Sequence, residues 1–222
     1  MNKQLTRRKF LGAATAAAAV SAVTSAATAA DKPLKILGIA CSPRKGMTTA
    51  KAVQIALDAA KAVSPRIQVE LIDLGGLNLA PHLPKQPPDD FDSILPKLKD
   101  PALGGIIIGS PSYFRAMSAL CKAFIERCSP LREPRTLAGK PLGVIAVGSF
   151  RNGGHELVIE QIQTAMLCFG MIPVGGNPPA YQGATVLSTK DDISGDELGL
   201  DTARKLGTRV AEIALRTAAA NQ

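Results

Sequence analysis

The chain has 222 residues, 46% of them hydrophobic and 4% aromatic, with a formal net charge of +8 and four cysteines. That length suits one domain with a single substantial core. Lys3, Arg7, Arg8 and Lys9 carry half of the positive excess, so the rest of the chain has little compositional basis for binding nucleic acid.

Residues 1–9 are cationic without an acid, and residues 10–30 form an uncharged, Ala-rich run. This is the shape of a signal peptide. Ala, Ser, Thr and Gly dominate the run, so burying it in lipid gains little and no lasting membrane helix is expected. Thr6-Arg7-Arg8-Lys9-Phe10-Leu11 resembles the twin-arginine export signal, and Ala27-Thr28-Ala29 offers an A-x-A cleavage site. The expected division is a signal over 1–29 and one domain over 30–222, with the protein in the periplasm. The resemblance implies transport of a folded protein, often with a cofactor already bound.

Beyond that segment, apolar runs rich in β-branched residues alternate with amphipathic helices. Strands are expected at Leu34–Ala40, Ile67–Leu74, Leu103–Gly109, Pro141–Gly148 and Met171–Val174. Helices are expected at Met47–Val63, Asp89–Leu98, Ala116–Cys128, Gly154–Phe169 and Asp196–Ala219. Gly and Pro between Gly75 and Pro88 make a long loop. Strict alternation builds a parallel sheet covered by helices on both faces. Five strands give a three-layer α/β/α sandwich of flavodoxin-like order 2-1-3-4-5, whose ligand crevice lies at the carboxyl ends of strands one, three and four.

Three loops at those ends carry the chemistry. After the first strand, Cys41-Ser42-Pro43-Arg44-Lys45-Gly46-Met47-Thr48-Thr49 brings hydroxyls and cations to a helix N-terminus, which suits a phosphate or serves as a capped, solvated turn. It has neither the G-x-x-x-x-G-K-[ST] nor the G-x-G-x-x-G pattern, against a nucleoside triphosphatase or a dinucleotide fingerprint. After the third strand, Pro111-Ser112-Tyr113-Phe114 supplies a wall for a flat ring, or a plug over the sheet's end. After the fourth, Ser149-Phe150-Arg151-Asn152-Gly153-Gly154 permits close backbone approach, while His155 and Glu156 sit where capping and acid/base work are equally good explanations.

The stretches S-P-R-K-G-M-T-T, G-S-P-S-Y-F-R-A-M-S-A-L-C-K-A-F-I-E-R and R-N-G-G-H-E resemble the flavodoxin-like NADPH-dependent FMN reductases, especially the branch with iron-sulfur flavoproteins and NAD(P)H:quinone oxidoreductases. The resemblance spans residues 34–215. It implies FMN, with phosphate on Ser42, Arg44, Met47, Thr48 and Thr49, the isoalloxazine against Pro111, Ser112, Tyr113 and Phe114, and Ser149, Phe150, Arg151, Gly153 and Gly154 around the ring. It also implies NAD(P)H as co-substrate and a homodimer or homotetramer in which one subunit covers another's flavin. Iron-sulfur members carry cysteines just before the acidic pair matching Asp89-Asp90; residues 80–88 here have none, so no cluster is expected.

Cys41, Cys121, Cys128 and Cys168 read as four small buried hydrophobes on separate elements or at opposite ends of one helix, without metal-site spacing. The expected function is FMN-dependent reduction of a quinone, flavin or similar small acceptor by NAD(P)H. Because the periplasm lacks a useful NAD(P)H pool, the competing reading is an exported electron-transfer module serving a quinone or protein partner. In either case the flavin carries the electron chemistry, and no catalytic side chain or metal ligand is singled out.

Overall fold

A computed structural model describes residues 32–220. The expected signal segment and its cleavage site therefore lie outside the described residues. The order is β1 (Leu34–Ala40), α1 (Thr48–Lys61), β2 (Ile67–Asp73), α2 (Phe91–Leu98), β3 (Leu103–Pro111), α3 (Ala119–Arg127), a 3-10 turn (Ser129–Leu131), β4 (Pro141–Gly148), α4 (His155–Leu167), β5 (Ile172–Pro173), β6 (Ala184–Leu187) and α5 (Glu197–Ala220). All strand pairs are parallel, in the order β2-β1-β3-β4-β5, with β6 also on β4.

Both faces of the sheet are covered, which is why β3 and β4 read as continuous apolar runs and are buried along their whole length. One core layer packs Leu37, Ile39, Ile106, Ile108, Phe91 and Phe124 with α2, α3 and α4. The opposite layer packs Ile36, Ile107, Val53, Leu57, Leu206 and Val210 with α1 and α5.

The expected fifth strand is divided. Ile172 and Pro173 pair with Pro141 and Leu142 at the start of β4, and Ala184–Leu187 pairs with Ile145–Gly148 at its end. Gly175, Gly176, Pro178 and Pro179 lie between the two pieces and cannot continue a ladder. The second piece carries residues 188–196 back to the edge where the three loops lie.

The third helix begins at Ala119 rather than Ala116. Tyr113 and Ala116 exchange both backbone hydrogen bonds at 3.0 Å around Phe114 and Arg115, whose φ values are +52° and +66°. That hairpin holds Ala116 out of the helix. Ser118 then caps it, its hydroxyl accepting from Cys121 N at 3.0 Å. Strand β3 also runs two residues further than expected, and this buries Pro111 beside Val147.

Candidate functional site

The loop after β1 feeds α1 through Gly46, at φ +69°, and Met47, an extended N-cap that makes no side-chain capping bond. The first-turn amides of α1 are therefore left for an anion, and Thr48 and Thr49, 3% and 2% exposed, stand beside them. Asp73 at the end of β2 fixes this loop by accepting from Gly46 N at 2.6 Å and Gly75 N at 3.0 Å. Ser42 is buried, and its hydroxyl accepts from Arg44 N at 3.2 Å. Arg44 pairs with Asp191 at 2.6 Å, so one guanidinium links the β1–α1 loop to the segment after β6. The Asp191 carboxylate holds the Arg44 guanidinium above its ordinary range.

Beneath the loops, Ser118 joins β1 to α3. Its hydroxyl donates to Cys41 O at 2.6 Å, and its amide donates to Ser110 Oγ at 3.0 Å. The second and third loops are tied above it. Ser112 Oγ donates to Gly153 O at 2.5 Å, Arg115 donates to Asn152 O at 3.2 Å, and Gln161 accepts from Met117 N at 3.1 Å. Gly154 caps α4 at φ +87°, where a Cβ would lie 2.8 Å from Arg115 Cα; only glycine meets both demands.

The structure thus brings Ser42, Arg44, Met47, Thr48, Thr49, Ser112, Tyr113, Gly153 and Gly154 to one edge. Phe114 and Phe150 stand bare, 103% and 78% exposed, and Ser149 is exposed beside them. Pro111, expected in the ring wall, and Arg151, expected around the ring, make other contacts. Pro111 is a buried strand residue, because β3 continues through it. Arg151 turns toward Asp196, 3.4 Å away on the β6 side of its loop. Asp191, Asp196 and the lining residues Leu77 and Leu79 were missed. Asp191 and Asp196 arrive through β6, whose Ala-Thr-Val-Leu run after Gly183 was the available signal.

A cavity of about 520 Å³ opens between the loops after β1, β2 and β3, walled by Pro43, Leu77, Leu79, Tyr113, Leu120 and Ala123. The Pro-rich segment that forms part of it is anchored, not loose. Asn78 N donates to Asp90 at 2.7 Å, Ala80 N to Asp89 at 3.1 Å and His82 N to Glu126 at 3.2 Å.

The cysteine expectation needs two corrections. Cys41, Cys121 and Cys128 are fully buried as expected, but they neighbour one another, because the Ser118 bridge draws α3 onto the end of β1. Burial, with the neighbouring Cys121 thiol, pushes the Cys41 thiol well up, and burial does the same to Cys128. Cys168 is exposed. Among the described residues no group of three or more His, Cys, Asp or Glu is placed to hold a metal ion.

The family described as NADPH-dependent FMN reductase matches residues 34–185. The chain belongs to this family. An iron-sulfur flavoprotein of Methanocaldococcus jannaschii is 40% identical over 191 residues, covering 81% of this chain and 97% of the relative. An NAD(P)H dehydrogenase (quinone) of Archaeoglobus fulgidus is 35% identical over 112 residues, 49% of this chain and 58% of that protein. Among solved structures, a flavone reductase matches at a TM-score of 0.65 with 20% identity, covering 82% of this chain and 63% of that one. A WrbA-like flavodoxin from Agrobacterium tumefaciens matches at 0.60 with 19% identity, covering 83% and 99%. At those identities the structures speak for the fold, which is flavodoxin-like, while the family match makes the chain a member of an oxidoreductase family.

Proposed function

We propose that this family member binds FMN across the three strand-end loops and uses NAD(P)H to reduce a small acceptor such as a quinone or a free flavin. The observation that carries the reading is the uncapped start of α1, with Thr48 and Thr49 beside it, on the same edge as the tied Ser112–Gly154 loops. The residues fit the group. First-turn amides, hydroxyls and the Arg44 cation suit a phosphate, and Tyr113, Phe114 and Phe150 offer ring faces. FMN, when bound, supplies the hydride and electron chemistry. This chain's part is to hold and orient it: Asp73 fixes the phosphate loop, Ser112 and Arg115 fix the ring loops, and Gly154 allows them to approach. The 520 Å³ cavity beside Tyr113 is walled mainly by carbon, which suits an apolar acceptor ring.

Purified protein should be yellow with one FMN per chain, and the Arg44→Ala, Thr48→Ala double variant should bleach on dialysis. A colourless wild type, or a double variant that keeps full FMN affinity, would sink the reading. We also propose that the chain holds no iron-sulfur cluster, since residues 80–88 lack cysteine, and that it forms a dimer or tetramer through the exposed edge bearing Phe114 and Phe150. Iron and sulfide analysis and light scattering test these.

Export remains a proposal carried by residues 6–11. No helix among the described residues is long and apolar enough to cross a membrane. Replacing Arg7 and Arg8 by Lys keeps the charge but loses the planar guanidinium. The variant should stay inside the cell as a yellow precursor; normal export would remove the twin-arginine route.

A further inference from the structure

On the far side of the Ser149–Gly154 loop lies a second, smaller cavity that the proposed flavin contacts do not use. It measures about 180 Å³ and is walled by Arg151, Asn152, His155, Glu156, Thr185 and Asp196, with Leu187 completing it. Two of these polar side chains are almost fully buried: His155 is 3% exposed and Asp196 8%.

His155 is held ring-on to the end of β4, where a Cβ on Gly148 would lie 2.8 Å from its Cε1. Its Nε2 lies 3.1 Å from Val186 O. A carbonyl only accepts, so Nε2 carries the proton and Nδ1 presents a lone pair. That Nδ1 is buried and has no partner. Asp196 takes one donor on each oxygen, Leu187 N at 2.6 Å and Arg151 at 3.4 Å, and a carboxylate has capacity for more. The two buried polar side chains of the cavity therefore both present acceptors, while its donors, on Arg151, Asn152 and Thr185, come from the less buried residues. Its one cation, Arg151, has a side chain 64% exposed at the rim.

We propose that this cavity is a ribose subsite for the electron donor, accepting the unphosphorylated cis-diol of NADH and turning away the 2′-phosphate of NADPH. The inference rests on the nicotinamide donor proposed above and names which of the two it is. A vicinal diol supplies two donors at neighbouring positions, which is what His155 Nδ1 and the Asp196 carboxylate lack. A carboxylate on a ribose hydroxyl is the usual device for binding the unphosphorylated ribose. A phosphate in the same place would instead meet Asp196 and Glu156, like charges in a site partly screened from water. The volume admits a pentose and not a whole dinucleotide, so the rest must lie outside. There Arg151 stands ready for a diphosphate, and the same loop reaches the flavin edge through Gly153 and Ser112.

Calorimetry on the full, FMN-loaded protein with ADP-ribose and with its 2′-phosphorylated form tests the subsite without turnover. ADP-ribose should bind at least tenfold more tightly than the phosphorylated probe. Asp196→Asn keeps an acceptor for Leu187 N but removes the charge, and should narrow that gap at least threefold; His155→Gln should weaken ADP-ribose about tenfold. Far-UV circular dichroism and FMN content confirm that each variant is folded. Equal or tighter binding of the phosphorylated probe, failure of both to bind, or an unchanged gap in Asp196→Asn overturns the inference. Anaerobic reduction with NADH and NADPH separates it from the broader reading. Reduction by both at equal rates leaves the oxidoreductase and removes the subsite, whereas ADP-ribose binding without reduction by either keeps the subsite and removes the nicotinamide-dependent activity.

Discussion

Arg44 reaches Asp191 at 2.6 Å across 147 residues of sequence, so the cation expected to hold a phosphate already has a carboxylate partner. Both side chains are about half exposed, and a pair of that kind adds little to stability, about 0 to 1 kcal/mol. A bound phosphate would compete with Asp191 for the guanidinium. Asp191→Asn should therefore leave the thermal midpoint nearly unchanged and tighten FMN severalfold. Arg44→Ala should weaken FMN by about 1.5 to 3 kcal/mol, the range for a charge-assisted bond. Fluorescence titration of apoprotein with FMN measures both, and equal affinities in the two variants would refute the competition.

Gly154→Ala should be among the most damaging changes at the candidate site. Its φ of +87° costs an L residue about 1 to 2 kcal/mol, and its Cβ would press on Arg115 at 2.8 Å. The hairpin carrying Tyr113 and Phe114 must shift, so FMN affinity should fall together with stability. Chemical denaturation and FMN titration check this; a variant that is destabilised yet binds FMN as wild type would show that the hairpin does not meet the flavin.

Asp89 and Arg127 form a buried ion pair, 2% and 6% exposed at the side chain, with the Arg127 guanidinium 5.0 Å from the Phe91 ring centre. Burial pushes the Asp89 carboxyl up, but the Arg127 hydrogen bond and the amides of Ala80 and Phe91 outweigh it and hold it below the usual range. A lowered native value means the unfolded state binds the proton more readily. The stabilisation is thus complete above the ordinary aspartate value of about 3.9 and fades as pH drops through the native value. Urea midpoints between pH 6 and 2 should show this loss, and Asp89→Asn should flatten it. Arg127→Met leaves the carboxylate buried and unpaired, at an expected cost of about 3 to 5 kcal/mol at pH 7.

Only one thiol should react in the native protein. Cys41, Cys121 and Cys128 are buried, and the thiols of Cys41 and Cys128 are pushed up, whereas Cys168 is exposed at the end of α4. Titration with an aromatic disulfide should modify one cysteine per chain quickly and the remaining three only after denaturation. Cys168→Ser should abolish the fast phase. Rapid reaction of three or four thiols would show that the end of β1 opens in solution.

Hydrophobic period and punctuation determined most of the fold in advance. The short apolar runs at residues 34–40, 103–109 and 141–148, rich in Ile, Leu and Val and bounded by Gly and Pro, read as strands buried on both faces, interrupted only by Lys35. The positions of Ser42 to Thr49 and Tyr113 at the sheet's carboxyl edge follow from alternation alone, since parallel strands put every such loop at the same end. Tertiary structure decided what those loops touch. The exposure of Phe114, the burial of Pro111, the turn of Arg151 toward Asp196 and the arrival of Asp191 and Asp196 were decided by a two-residue hairpin, the continuation of β3 and a four-residue strand, β6. Segments so short leave no periodic signal, because their conformation is set by contacts with partners up to 147 residues away rather than by their own pattern.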